Sequence, residues 1–434
     1  MTLIIHSVTI ITLEQRDDIF QGYVIIENNK FTKVAKGCPT EEEQRTANRI
    51  IDGKDKWLLP GLINTHGHLG SALLRGAGDD MPLMTWLKQV MWPNEAKFDH
   101  ETVVTAVQVA MMEMIKSGTT TFLDMYHLYM PDIAEIVIEK NLRAVLCRGM
   151  IGQCSQAEQE QKLTESTTFF KDYHGEGEGR VSIALSPHAP YTCPPSFLKR
   201  VADTAGKHGM MIHTHVSETR NEVDKHVSEY GIRPILHLKE LGIFEHPVLL
   251  AHAVHVDETE LTIIKEANAA ISHNPISNLK LGSGIAPLKQ FQALGITVSL
   301  GTDSTASNNN LDLFEEMRTA ALLHKGANED PTVTNAYDIL KMATSKGAIS
   351  LQIDNTGLIA PGHQADFILI NPATPHLTPN NEGSIMSHLV YSCKGSDVTD
   401  VFINGSPVYE NRELQLFDEE KLLFNANLLA KKFM

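Results

Sequence analysis

Cysteine is scarce in this sequence. Cys38, Cys147, Cys154, Cys193 and Cys393 are scattered through 434 residues, odd in number and without a CxxC pair. No disulfide framework fits that spacing, and a reducing cytoplasm is the expected setting. Basic charge is also short. Lys and Arg total 37 against 53 Asp and Glu, a formal net charge of −16. A surface that acidic argues against nucleic acid or an anionic membrane as main partner. No apolar run approaches the roughly 18–20 residues a membrane helix needs. The opening "MTLIIHSVTIITLEQRDD" has no basic n-region or cleavage site and reads as a strand. Sequence repeats, low-complexity segments and long disordered linkers are missing as well.

What the chain does have is histidine, 20 residues of it, a pointer to metal or proton chemistry. Hydrophobic content of 42% and charged content of 21% fit a soluble globular protein. The length exceeds one ordinary domain and suits a large α/β barrel with a satellite.

The first 58 residues read as β. "LIIHSVTIITL", "GYVIIENNKFTKVA" and "NRIIDGKDKWLLP" are β-branched runs punctuated by Asn28-Asn29 and Asp52-Gly53. The same texture returns in "QADFILINP", "HLVYSC" and "DVTDVFINGSPVYENREL", where Asn404-Gly405 marks a hairpin. Both ends together suggest one small β domain, followed by an amphipathic helix in "DEEKLLFNANLLAKKFM". The middle alternates. Strand-like runs occur at "PGLINTHGH", "TTTFLDMY", "RAVLCRGM", "VSIALSPHAP", "MMIHTHVSE", "PVLLAHAVH", "AAISHNP" and "TVSLGTDS". Helical stretches such as "ETVVTAVQVAMMEMIKSG" and "PPSFLKRVADTAGKHG" lie between most of them and end in glycine. Eight βα units predict a (β/α)8 TIM barrel over 59–358, with a small β-sandwich from 1–58 and 359–434.

Barrel enzymes carry their chemistry at the C-terminal ends of the strands. His66 and His68 end the first strand, and i, i+2 residues of a strand share a face. Gly67 between them lets the backbone bend or approach a neighbour. Alone, an HxH is as easily a polar strand end as a ligand pair. Recurrence decides. His188 ends the fourth strand, and His213, His215 and Glu218 the fifth. His252 and His255 end the sixth, His273 the seventh and Asp303 the eighth. Imidazole and carboxylate ligands suit zinc or ferrous iron.

In its order of motifs the chain resembles the amidohydrolase superfamily, from "PGLINTHGH" through "HTHVSET", "LAHAVH" and "GTDS" to "PGHQADFILI". "LMTWLKQVMWPNEAKF" and "VLCRGM" are similar to its branch that deaminates adenosine-type thioether nucleosides. The resemblance implies His66, His68, His215 and Asp303 as ligands of one divalent metal, Zn2+ or Fe2+. His213 shares the parity of His215 and is the rival ligand. The lysine that bridges two metals in dinuclear members is replaced by Ser186-Pro187-His188-Ala189, which implies a single ion.

The resemblance also implies roles around that ion. The metal lowers the pKa of its water to about 7. Glu218 matches the proton donor to the ring nitrogen, although a Glu there also suits a helix start. His252, with Asp303, matches the base that holds and deprotonates the water; the bland alternative is a core histidine. Glu95 matches the residue gripping the ribose hydroxyls, or else is a surface helix carboxylate. His188 matches a further substrate contact. Arg148 suits the carboxylate of a homocysteine tail, or else a structural ion pair. Met84, Trp86 and Trp92 form an apolar wall around a thioether, or simply pack in the core. His255 and His273 are supporting residues. The expected partner is a small nucleoside, with assembly into identical copies left open. Deaminases or chlorohydrolases of guanine, cytosine or s-triazines are the alternative in the same fold, and a non-catalytic scaffold the alternative of another class.

Overall fold

The computed structural model describes residues 2–433. The chain begins in a sheet built from β1 (Thr2–Ile11), β2 (Ile19–Glu27), β3 (Lys30–Lys36), β4 (Arg49–Asp52) and β5 (Trp57–Pro60). Asn28 and Asn29 both lie at positive φ, +50° and +68°, which the tight turn from β2 to β3 requires. The barrel follows in β6 (Leu62–Asn64), β7 (Thr119–Tyr126), β8 (Arg143–Met150), β9 (Val181–Pro187), β10 (Ile212–Val216), β11 (Val248–His252), β12 (Ala270–His273) and β13 (Val298–Leu300). These eight strands pair in chain order and in parallel. The ring closes where Thr65 N–H donates to the Leu300 carbonyl (3.0 Å) and Gly67 bridges Asp303. The chain then returns to the first sheet as β14 (Phe367–Ile370), β15 (Val398–Ile403), β16 (Ser406–Glu410) and β17 (Glu413–Leu414). β14 pairs antiparallel with β5, so the last strands complete a sheet the first strands began.

Two features join the terminal sheet to the barrel. Gly61 alone separates β5 from β6, and a Cβ there would fall 2.1 Å from Thr120 Oγ1. Arg143, on β8, donates to Asp366 Oδ2 at 2.6 Å and to Asn404 Oδ1 at 2.6 Å, with both charged side chains buried. Removing one partner of such a pair strands a buried charge, at a cost of about 3–5 kcal/mol.

The barrel interior is apolar at its floor. Ile63, Leu123, Val145, Ala184 and Leu249 pack there, plugged by Ala348 and Leu351. Stacked Phe367 and Phe402 rings, 4.6 Å apart, anchor a separate core in the terminal sheet.

One expectation fails. "HLVYSC" is not a strand; it ends a helix, Ile385–Tyr391, that packs on Leu313–Ala327 and Ala336–Met342. Ile385, Leu389 and Val390 are its buried positions, a helical spacing that the β-branched texture of a short window conceals.

Candidate active site

His66 and His68 follow β6 rather than lie in it. Backbone bonds carry the extended path past the strand. Asp303 N–H donates to the His66 carbonyl (2.9 Å) and Met125 N–H to the Gly67 carbonyl (2.9 Å). Gly67 is thus gripped between β7 and the segment after β13, and the two imidazoles stand with centroids 4.9 Å apart.

Protons on the rings follow from their partners. His213 Nδ1 donates to the Leu249 carbonyl (3.0 Å), which leaves its Nε2 to accept from His66 Nδ1 (2.9 Å). His68 Nδ1 donates to the Met125 carbonyl (2.6 Å), and His215 Nδ1 to the His188 carbonyl (2.7 Å). The Nε2 atoms of His66, His68 and His215 therefore all carry lone pairs. His68 Nε2 and His215 Nε2 are only 3.2 Å apart. Two unprotonated nitrogens that close repel, and His66 Nε2 is buried with no hydrogen-bond partner. Asp303 Oδ1 lies 3.5 Å and 3.3 Å from the Nε2 atoms of His66 and His68. A divalent cation at the common centre satisfies all four groups. Backing each ligand ring with a hydrogen bond to its other nitrogen is the arrangement metal sites use to fix tautomers. His213 stands behind His66 in that supporting role. Burial pushes His66 down to about 4 and His215 well below the usual imidazole range, which keeps both rings neutral.

His252 reaches the same centre: its ring nitrogen groups with those of His66 and His215 within 4.8 Å. Its Nδ1 donates to Asn278 Oδ1 (2.8 Å), leaving Nε2 as a free base 3.8 Å from Glu218 Oε2. His252 and Asp303 both sit at positive φ, +74° and +62°. Such strain costs about 1–3 kcal/mol for a side chain of this kind and persists where the surroundings over-determine it.

Glu218 is 4% exposed. Burial pushes its carboxyl up, the direction a proton donor needs. Ser283 Oγ donates to its Oε1 (3.3 Å), and its backbone N–H donates to Glu222 Oε2 (2.8 Å). His255 holds the same loop by donating to the Ser283 carbonyl (2.7 Å). His273 shares a proton with His324 (2.9 Å), away from the ligand cluster.

These groups line one side of a cavity of about 350 Å³. The other side carries Glu95, Arg148 and His188, with Trp86 and Trp92 in the apolar wall. Met84 packs against the core and does not reach the cavity. Arg148 forms an ion pair with Glu165 while facing the cavity, so both expectations for it hold at once. Tyr126, His127, Lys162 and Tyr191 also line the space and escaped the sequence reading. Tyr126 and His127 were findable, since they end β7 just as the ligands end other strands.

The comparisons with known proteins agree with this geometry. The family model described as Amidohydrolase family matches residues 57–408. A relative from Halalkalibacterium halodurans named 5-methylthioadenosine/S-adenosylhomocysteine deaminase is 51% identical, over 98% of this chain and 98% of its own. One of the same name from Shouchella clausii is 48% identical, over 98% of each. Among solved structures, a zinc-bound adenosine deaminase from Xanthomonas campestris superposes with a TM-score of 0.92 at 31% identity, covering 99% of this chain and 98% of its own. A zinc-complexed atrazine chlorohydrolase from Arthrobacter aurescens gives 0.90 at 25% identity, covering 99% and 100%. With four ligating groups at the ends of parallel barrel strands and a family match across most of its length, this chain belongs to the amidohydrolase family.

Proposed function

We propose that the chain is a nucleoside deaminase that hydrolyses the C6 amine of thioether adenosines such as 5′-methylthioadenosine and S-adenosylhomocysteine, giving the inosine analogue and ammonia. The observation that carries the reading is the two-sided cavity. Ligands and proton-transfer groups occupy one side, and a carboxylate and a guanidinium the other. The 51% identity to the relative of that name supports the same substrates.

His66, His68, His215 and Asp303 hold one zinc ion, which when bound supplies the acidification of a water molecule to a pKa of about 7. His252 Nε2 and the Asp303 carboxylate orient that water and take its proton. Glu218 delivers a proton to the ring nitrogen beside C6. Glu95 accepts hydrogen bonds from the ribose hydroxyls, and His188 steadies the base. Residues 59–358 form the catalytic barrel, with 1–58 and 359–434 as its β domain, working in the cytoplasm.

Arg148 sorts the substrates. S-adenosylhomocysteine ends in an amino acid and 5′-methylthioadenosine in a methyl group. A guanidinium–carboxylate contact is worth about 1.5–3 kcal/mol, or one to two decades of kcat/KM. Arg148→Ala should therefore weaken S-adenosylhomocysteine turnover well beyond that of 5′-methylthioadenosine, read from the ultraviolet change of adenine to hypoxanthine. Equal losses would remove the tail contact. Ammonia release from guanine, cytosine or an s-triazine, with no change for either nucleoside, would replace the assignment itself.

A further inference from the structure

Glu95 sits on a poorly anchored piece of chain. The segment from Leu83 to Glu95 is three short helical pieces, and the middle one, Leu87–Met91, is a wide π turn. Pro93, which lacks an N–H, interrupts the regular α pattern there. Such a segment does not by itself fix a side chain within the tolerance that ligand recognition needs. Among the described residues, one donor holds the Glu95 carboxylate. It is the Tyr126 hydroxyl, 3.1 Å from Oε1. Tyr126 is the last residue of β7, buried, and part of the rigid barrel. Its ring rests on Gly70, where a Cβ would fall 2.1 Å from ring atom Cε1. The glycine is therefore required by the close approach of the ring, at a backbone of ordinary φ.

We infer that Tyr126 is a positioning residue that ties the Glu95 carboxylate to the barrel and so sets the preference for substrates with both ribose hydroxyls. The inference rests on the proposed contact of Glu95 with ribose. Charge and geometry act together. The phenol donates to one carboxylate oxygen and leaves the other lone pairs directed at the cavity. Without it, a carboxylate in a partly desolvated site has no protein donor, and its orientation passes to the mobile segment.

The test compares 5′-methylthioadenosine with its 2′,3′-dideoxy analogue in the zinc-loaded enzyme and in Tyr126→Phe, Gly70→Ala and Glu95→Ala. Tyr126→Phe keeps the ring and its packing. Its preference for the ribonucleoside in kcat/KM should fall about tenfold, toward that of Glu95→Ala, through KM with kcat and metal content little changed. Gly70→Ala, which displaces the ring but retains the hydroxyl, should shift the preference the same way. A wild-type preference in both Tyr126→Phe and Gly70→Ala, whatever the overall loss of rate, would overturn the tie while leaving the Glu95 contact intact. A wild-type preference in Glu95→Ala would overturn the ribose contact and the tie together, leaving the deaminase reading to the Arg148 comparison.

Discussion

Replacing His215 by alanine should strip the protein of metal and turnover together. Three imidazole Nε2 atoms and one carboxylate converge, and His215 Nε2 lies 3.2 Å from that of His68. Three remaining ligands leave a more open, weaker site. Loss of a mere supporting partner typically costs 10–100-fold in metal affinity, so loss of a direct ligand should exceed about 100-fold. Elemental analysis after dialysis against a weak chelator reads the effect. The native chain should retain about one zinc equivalent and His215→Ala close to none. Two tightly held metals in the native chain, or a fully loaded and active variant, would refute the four-ligand site.

Glu218→Gln should do the opposite, keeping the metal and losing the chemistry. The carboxyl is buried, faces His252 Nε2 at 3.8 Å, and is pushed up by burial toward a state that can carry a proton. An amide preserves its size and its contact with Ser283 but delivers no proton to a ring nitrogen. Groups of this kind contribute about 10²–10⁴-fold, so kcat should drop by that range while bound zinc stays constant. Near-native kcat with metal in place would show that another group protonates the base.

The ligand set was legible because the chemistry recurs at one place in each βα unit. His66, His215 and Asp303 come from distant sequence positions, yet each follows an apolar run, and a parallel barrel brings all such ends to one rim. Their supporting partners were not legible. Asn278, Ser277 and Ser283 are short polar residues in a connecting segment, and nothing local distinguishes them from turn formers. Glu165 looked like any exposed helix carboxylate until the fold placed it against Arg148. Tyr126 ended a strand whose other residues are structural, and its importance depends on Glu95, 31 positions away. The helix at Ile385–Tyr391 was misread because a six-residue window cannot separate a period of two from one of 3.6 when most positions are apolar.

The antiparallel pairing of β5 with β14 has a consequence for synthesis on the ribosome. β5 ends at Pro60 and β14 begins at Phe367, so 307 residues lie from one to the other. At about 5–20 residues per second, β5 waits roughly 15–60 s for its neighbour. Its Trp57-Leu58-Leu59 edge, fully buried in the finished protein, faces water or another nascent chain throughout that interval. Chains truncated before Phe367 should consequently aggregate through this edge, even where the barrel strands have already paired.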